Sequence, residues 1–141
     1  MIILDTNIVS ALMVSPPEKL LLSWLDRQPR LSVWITSVTI LEVEYGLQIM
    51  PLGKRRSALV EAFGHFLGKL EERIASFDAS SATHTADLMA ARKRVGRPRD
   101  VRDTMIAGIA VARHATLATR NTAHFQDLPI EVVNPWLIGK Q

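Results

Sequence analysis

Four oxygen-bearing side chains carry the chemistry this sequence suggests: Asp5 in "IILDTNIVSAL", Glu42 in "TSVTILEVEYGL", Asp103 in "RDVRDTMIAG" and Asn121 directly after "TLATR". Carboxylates that converge in apolar surroundings need either raised pKa values or a cation to neutralise them. A ligand set made only of oxygen suits Mg²⁺ or Mn²⁺. Such an ion polarises a phosphoryl oxygen and lowers the pKa of a bound water, so the natural reaction is hydrolysis of a phosphodiester. Each residue also has a plainer reading. Asp5 would cap the helix after it. Glu42 would reach solvent or an arginine from the edge of an apolar stripe formed by Val38, Leu41 and Tyr45. Asp103 would complement the positive end of a helix capped by Asp100. Asn121 would form a turn. What favours a site is that the elements carrying the four would end or begin at one edge of one sheet.

Those elements alternate. "MIIL" reads as a short buried strand, and a helical stretch through Ser10–Met13 follows. Pro16 and Pro17 interrupt the chain, and "EKLLLSWLDRQ" resumes as an amphipathic helix. "LSVWIT" is a second strand, rich in β-branched and aromatic residues. Ser37 is placed to cap the helix "VTILEVEYGLQIM", which Pro51 and Gly53 end. A long helix, "RRSALVEAFGHFLGKLEERI", leads to a third strand, "IASFD". Ser80 or Ser81 would cap "ATHTADLMAARKRV". After the loop "GRPRD" come the helix "VRDTMIAGIAVARHA", a fourth strand "TLATR" and a fifth, "IEVVN", closed by Pro135. The alternation predicts a three-layer α/β/α sandwich around a mainly parallel sheet of about five strands. In such sheets ligands bind beyond the carboxyl ends of the strands, where Asp5 and Asn121 stand. Ile106, Ala107 and Ala110 leave one face of their helix small enough to approach the sheet and bring Asp103 with it.

The 141 residues suit one domain spanning 1–141, and 48% hydrophobic with 22% charged residues is an ordinary globular composition. With no cysteine, disulfides, thiolate metal sites and cysteine nucleophiles are excluded. The apolar runs fall short of the roughly 20 residues a membrane span needs, and no secretory signal pattern opens the chain. The expectation is therefore a soluble, cytoplasmic protein with no membrane contact. A net charge of +3 permits a polyanionic partner without requiring one.

"ILDTNIVSAL", "TSVTILEVEYGL", "RDVRDTMIAGIAVARHATLATRNTAHF" and the closing "VVNPW", in this order and spacing, resemble the PIN-domain ribonucleases. The resemblance is to the VapC and FitB-like toxins of type II toxin–antitoxin systems, and it covers essentially the whole chain. It implies Mg²⁺- or Mn²⁺-dependent endoribonuclease activity on RNA, a homodimer, and a small cognate antitoxin protein that blocks the site, within a larger toxin–antitoxin assembly. Carried over to this sequence, Asp5, Glu42 and Asp103 are the three acidic ligands. Asn121 takes the place where many members have a fourth aspartate. Thr6 and Asn7 match residues that orient the first ligand or its water, and Thr119 matches a hydroxyl near the site. The neutral amide at 121 removes one negative charge, so a second cation is expected to need RNA phosphates for company. Whether Glu42 binds the metal or serves as the base stays open.

Around these positions, Arg97, Arg99, Arg102 and Arg120 are expected to bind RNA phosphates, an interaction that weakens with salt. Arg92, Lys93 and Arg94 fit equally a solvated helix end. Trp24, Trp34 and Trp136 read as core or interface rather than as stacking platforms for bases. His65, His84, His114 and His124 share no ligand spacing; His84 and His114 read as helix-surface residues, and His124 stands where several relatives have an acid. Two other function classes compete. One is a catalytically weak or inactive PIN-fold module that binds RNA or protein. The other is a phosphate-accepting aspartate domain, against which "LDTN" offers no second nearby carboxylate. A dinucleotide-binding dehydrogenase is disfavoured, because no glycine-rich fingerprint follows the first strand.

Overall fold

Every strand that the sequence pattern marks takes its place in one parallel sheet. A computed structural model of the protein describes residues 1–138; residues 139–141, at the end of the expected domain, lie outside the described residues. The strands are β1 (Ile2–Leu4), β2 (Val33–Thr36), β3 (Ile74–Ala75), β4 (Thr116–Ala118) and β5 (Val132–Val133). Their order is β3-β2-β1-β4-β5, with every pairing parallel. The helices are α1 (Thr6–Met13), α2 (Lys19–Asp26), α3 (Ser37–Ile49), α4 (Lys54–Leu70), α5 (Ala79–Arg94), α6 (Val101–Ala112) and α7 (Pro135–Ile138).

Alternate strand residues point to opposite faces, and the core divides accordingly. Leu4, Val33, Ile35 and Ala118 join Ile8, Val9, Leu21, Trp24, Val43, Leu47, Phe63 and Trp136 on the face covered by α1, α2 and α4. Ile3, Leu117 and Ala75 join Ile106, Ala107, Ala110, Phe125 and Leu128 on the face covered by α6. The expected three-layer sandwich is thus what forms. The outer strands β3 and β5 are two residues each, shorter than "IASFD" and "IEVVN" suggested. Each pairs on one side only, so fewer ladder bonds hold its ends in register.

Two helices have a different capping residue from the one expected, and α1 keeps its expected cap but starts earlier than Ser10. α1 begins at Thr6, with Asp5 itself as the N-cap. Thr36, not Ser37, caps α3: its hydroxyl accepts from the Thr39 amide at 3.1 Å, while the Ser37 hydroxyl accepts from the Phe77 amide. Asp78, not Ser80 or Ser81, caps α5, accepting from both the amide and the hydroxyl of Ser81. Asp100 caps α6 as expected, accepting from Arg102 N at 2.9 Å.

The α5–α6 pair packs closely at Gly108. A Cβ there would overlap the Thr85 hydroxyl and come within 2.9 Å of the Ser81 carbonyl oxygen. Thr85 has no room to give, because it is buried and its hydroxyl donates to that same carbonyl at 2.7 Å. Gly108→Ala should therefore destabilise the protein by about 1–3 kcal/mol, the usual cost of overpacking, read from the midpoint of urea unfolding. A variant as stable as the parent would show that α6 is free to shift.

Candidate active site

Asp5 is where β1 becomes α1. Its amide still donates to the Ala118 carbonyl in the sheet at 2.9 Å, while its own carbonyl accepts from the amides of Ile8 and Val9. The carboxylate, 4% exposed, is held on both oxygens. Oδ1 accepts from Thr6 N at 2.8 Å. Oδ2 accepts from the Thr119 hydroxyl at 2.7 Å and, longer, from Asn7 Nδ2 at 3.4 Å. Asn7 Nδ2 also donates to the Thr119 hydroxyl, and Asn7 Oδ1 accepts from Arg120 N. The capping and site readings of Asp5 are therefore not rivals, since one oxygen caps α1 and the other faces the end of β4.

Glu42 reaches the same edge through a ladder of hydroxyls. A carboxylate can only accept, so Thr6 donates to Glu42 Oε1 at 2.8 Å. The Thr39 hydroxyl then donates to Thr6 at 2.9 Å, and Thr36 donates to Thr39 at 3.4 Å. The stripe facing inward on α3 is Val38, Thr39, Val43 and Leu47, not Val38, Leu41 and Tyr45; Leu41 and Tyr45 are 57% and 58% exposed. Thr39 is wholly buried because its hydroxyl is partnered, which turns the helix and carries Glu42 toward Thr6. The other oxygen, Oε2, lies 3.8 Å from Arg102 Nε, which is also 3.6 Å from Asp100. An open groove of about 680 Å³ runs from Thr6 and Glu42 between α1, α3 and α4, past Leu47, Met50 and Leu59. A larger groove of about 770 Å³ borders α2 and α4, and none of the three carboxylates lines it; of the three, Glu42 alone lines the smaller one.

Asp103 sits half-buried in the first turn of α6. Burial raises its pKa first, Asp100 adds to that, and His124, Arg102 and Arg92 pull it back. Burial likewise pushes Asp5 up to about 6, against the Thr119 and Thr6 hydrogen bonds, and the charges of Asp103 and Glu42 push it further. The three acids therefore share one electrostatic neighbourhood. Among the described residues, however, no group of three His, Cys, Asp or Glu side chains is arranged so that it could hold a metal ion. The donor set still fits Mg²⁺ or Mn²⁺, which take one or two carboxylates and fill the remaining positions with water and substrate phosphate. A buried carboxylate with two more beside it is a concentration of negative charge that a cation would relieve.

The other expected residues divide. Asn121 is exposed; its amide donates to the Thr119 hydroxyl and its carbonyl accepts from His124 N. Arg97 and Arg99 are exposed in the loop before α6. Arg120 lies 3.4 Å from Glu18 and stacks over Trp136 at 4.1 Å. Trp24 and Trp136 are buried, in line with the core reading. His114 stands beyond the end of α6 at φ 52 rather than on a helix face. Arg92 departs furthest from expectation. It is neither solvated nor open to phosphate but 4% exposed, bonded to Asp127 at 2.8 and 3.0 Å, to the Thr104 hydroxyl at 2.9 Å and to the His124 carbonyl at 3.2 Å. Residues that the sequence reading did not place at the site are Thr39, Thr104 and Asp127. Their only sequence signal is a hydroxyl or carboxyl beside an expected ligand or in the turn after Asn121.

The raised acids carry a pH signature. With a folded-state pKa of about 6 against an ordinary 3.8, Asp5 binds its proton more tightly in the folded than in the unfolded chain. Its contribution to stability is full below about pH 4 and is lost as the pH rises through about 6. Asp103 shifts in the same direction. Asp78 and Asp127 are lowered, so theirs is lost only as the pH falls below that range. Without divalent cations, the urea-unfolding free energy should show a downward component from about pH 4 to about pH 6 that flattens in Asp5→Asn. An identical profile for the variant would contradict the buried-charge account.

The PIN domain family matches residues 2–131. Over 137 residues the chain is 36% identical to VapC ribonuclease Y4jK of Sinorhizobium fredii, covering 96% of this chain and 98% of that protein. It is 31% identical to Toxin FitB of Neisseria gonorrhoeae, covering 96% and 99%. A solved structure of FitAB bound to IR36 DNA fragment superposes with a TM-score of 0.87 at 31% identity, covering 96% of each chain. With a buried carboxylate at the end of the central strand of this five-stranded parallel sheet, the chain belongs to the PIN domain family.

Proposed function

We propose that the chain is a divalent-metal-dependent endoribonuclease, the toxin of a toxin–antitoxin pair. The observation that carries this is Asp5: a buried carboxylate at the end of the central strand, raised to about 6, with Asp103 and Glu42 adding charge beside it. Relatives named ribonuclease and toxin over nearly the whole chain support the same reading.

Asp5 and Asp103 would hold Mg²⁺ or Mn²⁺, with the Asn121 amide oxygen as a further oxygen donor. When bound, the cation polarises the scissile phosphoryl group and acidifies an attacking water. The chain's own residues do the rest. Thr119, Thr6 and Asn7 fix the rotamer of Asp5. The Thr36–Thr39–Thr6 ladder holds Glu42 by one oxygen and leaves Oε2, 3.8 Å from Arg102 Nε, to take the proton of the attacking water. Arg102 exchanges Glu42 for an RNA phosphate, and Arg97, Arg99 and Arg120 steer the backbone in. An antitoxin would cover the groove beside Glu42, whose walls are apolar. The exposed stripe of Leu41, Tyr45 and Ile49 along α3 is the kind of surface a second copy would bury.

A second reading is a PIN-fold module that holds RNA without cutting it. It is favoured by the missing three-ligand cage among the described residues and by the neutral Asn121.

Purified protein should cleave single-stranded RNA with Mg²⁺ or Mn²⁺ and stop with chelator. Asp5→Asn or Asp103→Asn should cut the rate by about a hundredfold or more while circular dichroism stays native, since even outer-sphere substitutions cost 10–100-fold. RNA binding that ignores chelator, with no product, would decide for the module. Expression in a bacterium should arrest growth, and co-expression of the adjacent reading frame should relieve it; growth unaffected at high expression would sink the toxin assignment.

A further inference from the structure

We propose that Arg92 is a positioning residue that sets Asp103 and the turn after Asn121 in their working places, with Asp127 as its anchor. The inference rests on the metal site proposed above. A guanidinium buried at the end of α5 is costly, and well-packed apolar side chains of similar volume often serve stability as well or better. Packing alone therefore does not explain a charge here. Its partners do. The Nη1 donor goes to the hydroxyl of Thr104, the residue after Asp103, and that hydroxyl donates in turn to the Asp100 carbonyl. The first turn of α6 is thus pinned on both sides of Asp103. The Nε and Nη2 donors go to Asp127, and Nη2 also goes to the His124 carbonyl, within and just beyond the turn Thr122–Phe125. That turn begins at Asn121, whose carbonyl accepts from His124 N.

One planar fork therefore joins the segment carrying the third acid to the segment carrying the fourth donor, which are separated by most of α6 and all of β4. Lysine has the charge but not the fork. The charge of Arg92 also acts on Asp103, against the effect of burial.

The test is Mn²⁺ titration of the full metal-free chain by calorimetry, alongside urea unfolding and single-turnover RNA cleavage, for wild type, Arg92→Lys, Arg92→Met and Asp127→Asn. Arg92→Lys and Asp127→Asn should fold, bind Mn²⁺ about tenfold or more weakly, and lose kcat with KM for RNA little changed. Amide exchange in 122–127 should quicken in both. If Arg92→Met fails to fold, the other two variants carry the result. A loss of stability with Mn²⁺ affinity and kcat within about twofold of wild type would overturn the inference and reduce Arg92 to a structural staple. Wild-type protein that binds no Mn²⁺ would overturn the metal site and this inference with it, whereas equal binding by wild type and Asp127→Asn would overturn the inference alone.

Discussion

The structure turns on the desolvation of one carboxylate. Asp5 cannot withdraw to solvent, because its amide belongs to the sheet and its carbonyl to α1. The side chain is thereby committed to a place where burial disfavours its charge. Thr6 N and the Thr119 hydroxyl return part of that cost, and Asp103 and Glu42 add to it. The balance leaves an acid poised near neutrality instead of a settled ion pair. A fold seeking stability alone would supply a lysine or arginine to Asp5. In this one, the charges of Asp103 and Glu42 make the imbalance larger.

Sheet order explains how distant residues come to that point. β1 is central, between β2 and β4, so the residues just past Leu4, at the end of β2 and just past Ala118 are neighbours: Asp5, Thr36 and Thr119. All strands are parallel, so α1 and α3 leave from the same edge. Helix α6 packs close to the sheet because Ala107 and Ala110 are small and fully inside. The threonines do more than fill space. Thr36 caps α3, and through Thr39 and Thr6 the same hydroxyl chain ends on Glu42. Helix initiation and site geometry thus depend on one set of hydrogen bonds.

Much of this was legible in the residue pattern. Strand–helix alternation marked the sandwich, "MIIL" followed by aspartate marked the site edge, and Asp100 marked the start of α6. What escaped had physical reasons. On α3 the buried stripe includes Thr39, which a count of apolar residues passes over because its partner, Thr6, lies 33 positions away. The caps at Thr36 and Asp78 precede serines of equal or higher capping propensity, and only the path of the preceding strand decides between them. Arg92 looked like any basic residue at a helix end. Its anchor Asp127 is 35 residues on, and nothing local distinguishes a solvated guanidinium from one enclosed by three segments.

The charges around the acids are placed unevenly, and the unevenness has a direction. A cation in the first turn of a helix opposes the helix dipole, yet Arg102 stands there. It is held beside Asp100 and Glu42 at 3.6 and 3.8 Å, about half exposed. Glu42 therefore has a cation of the chain's own on its outer oxygen, whereas Asp5 has only neutral donors and other acids around it. A pair as exposed as Arg102 and Glu42 is worth little in isolation, so it can be exchanged at small cost for a phosphate. Under the proposed function, the end of the site with no cation of its own is the end that would take the metal. The end that already holds a guanidinium is the one the nucleic-acid backbone would meet.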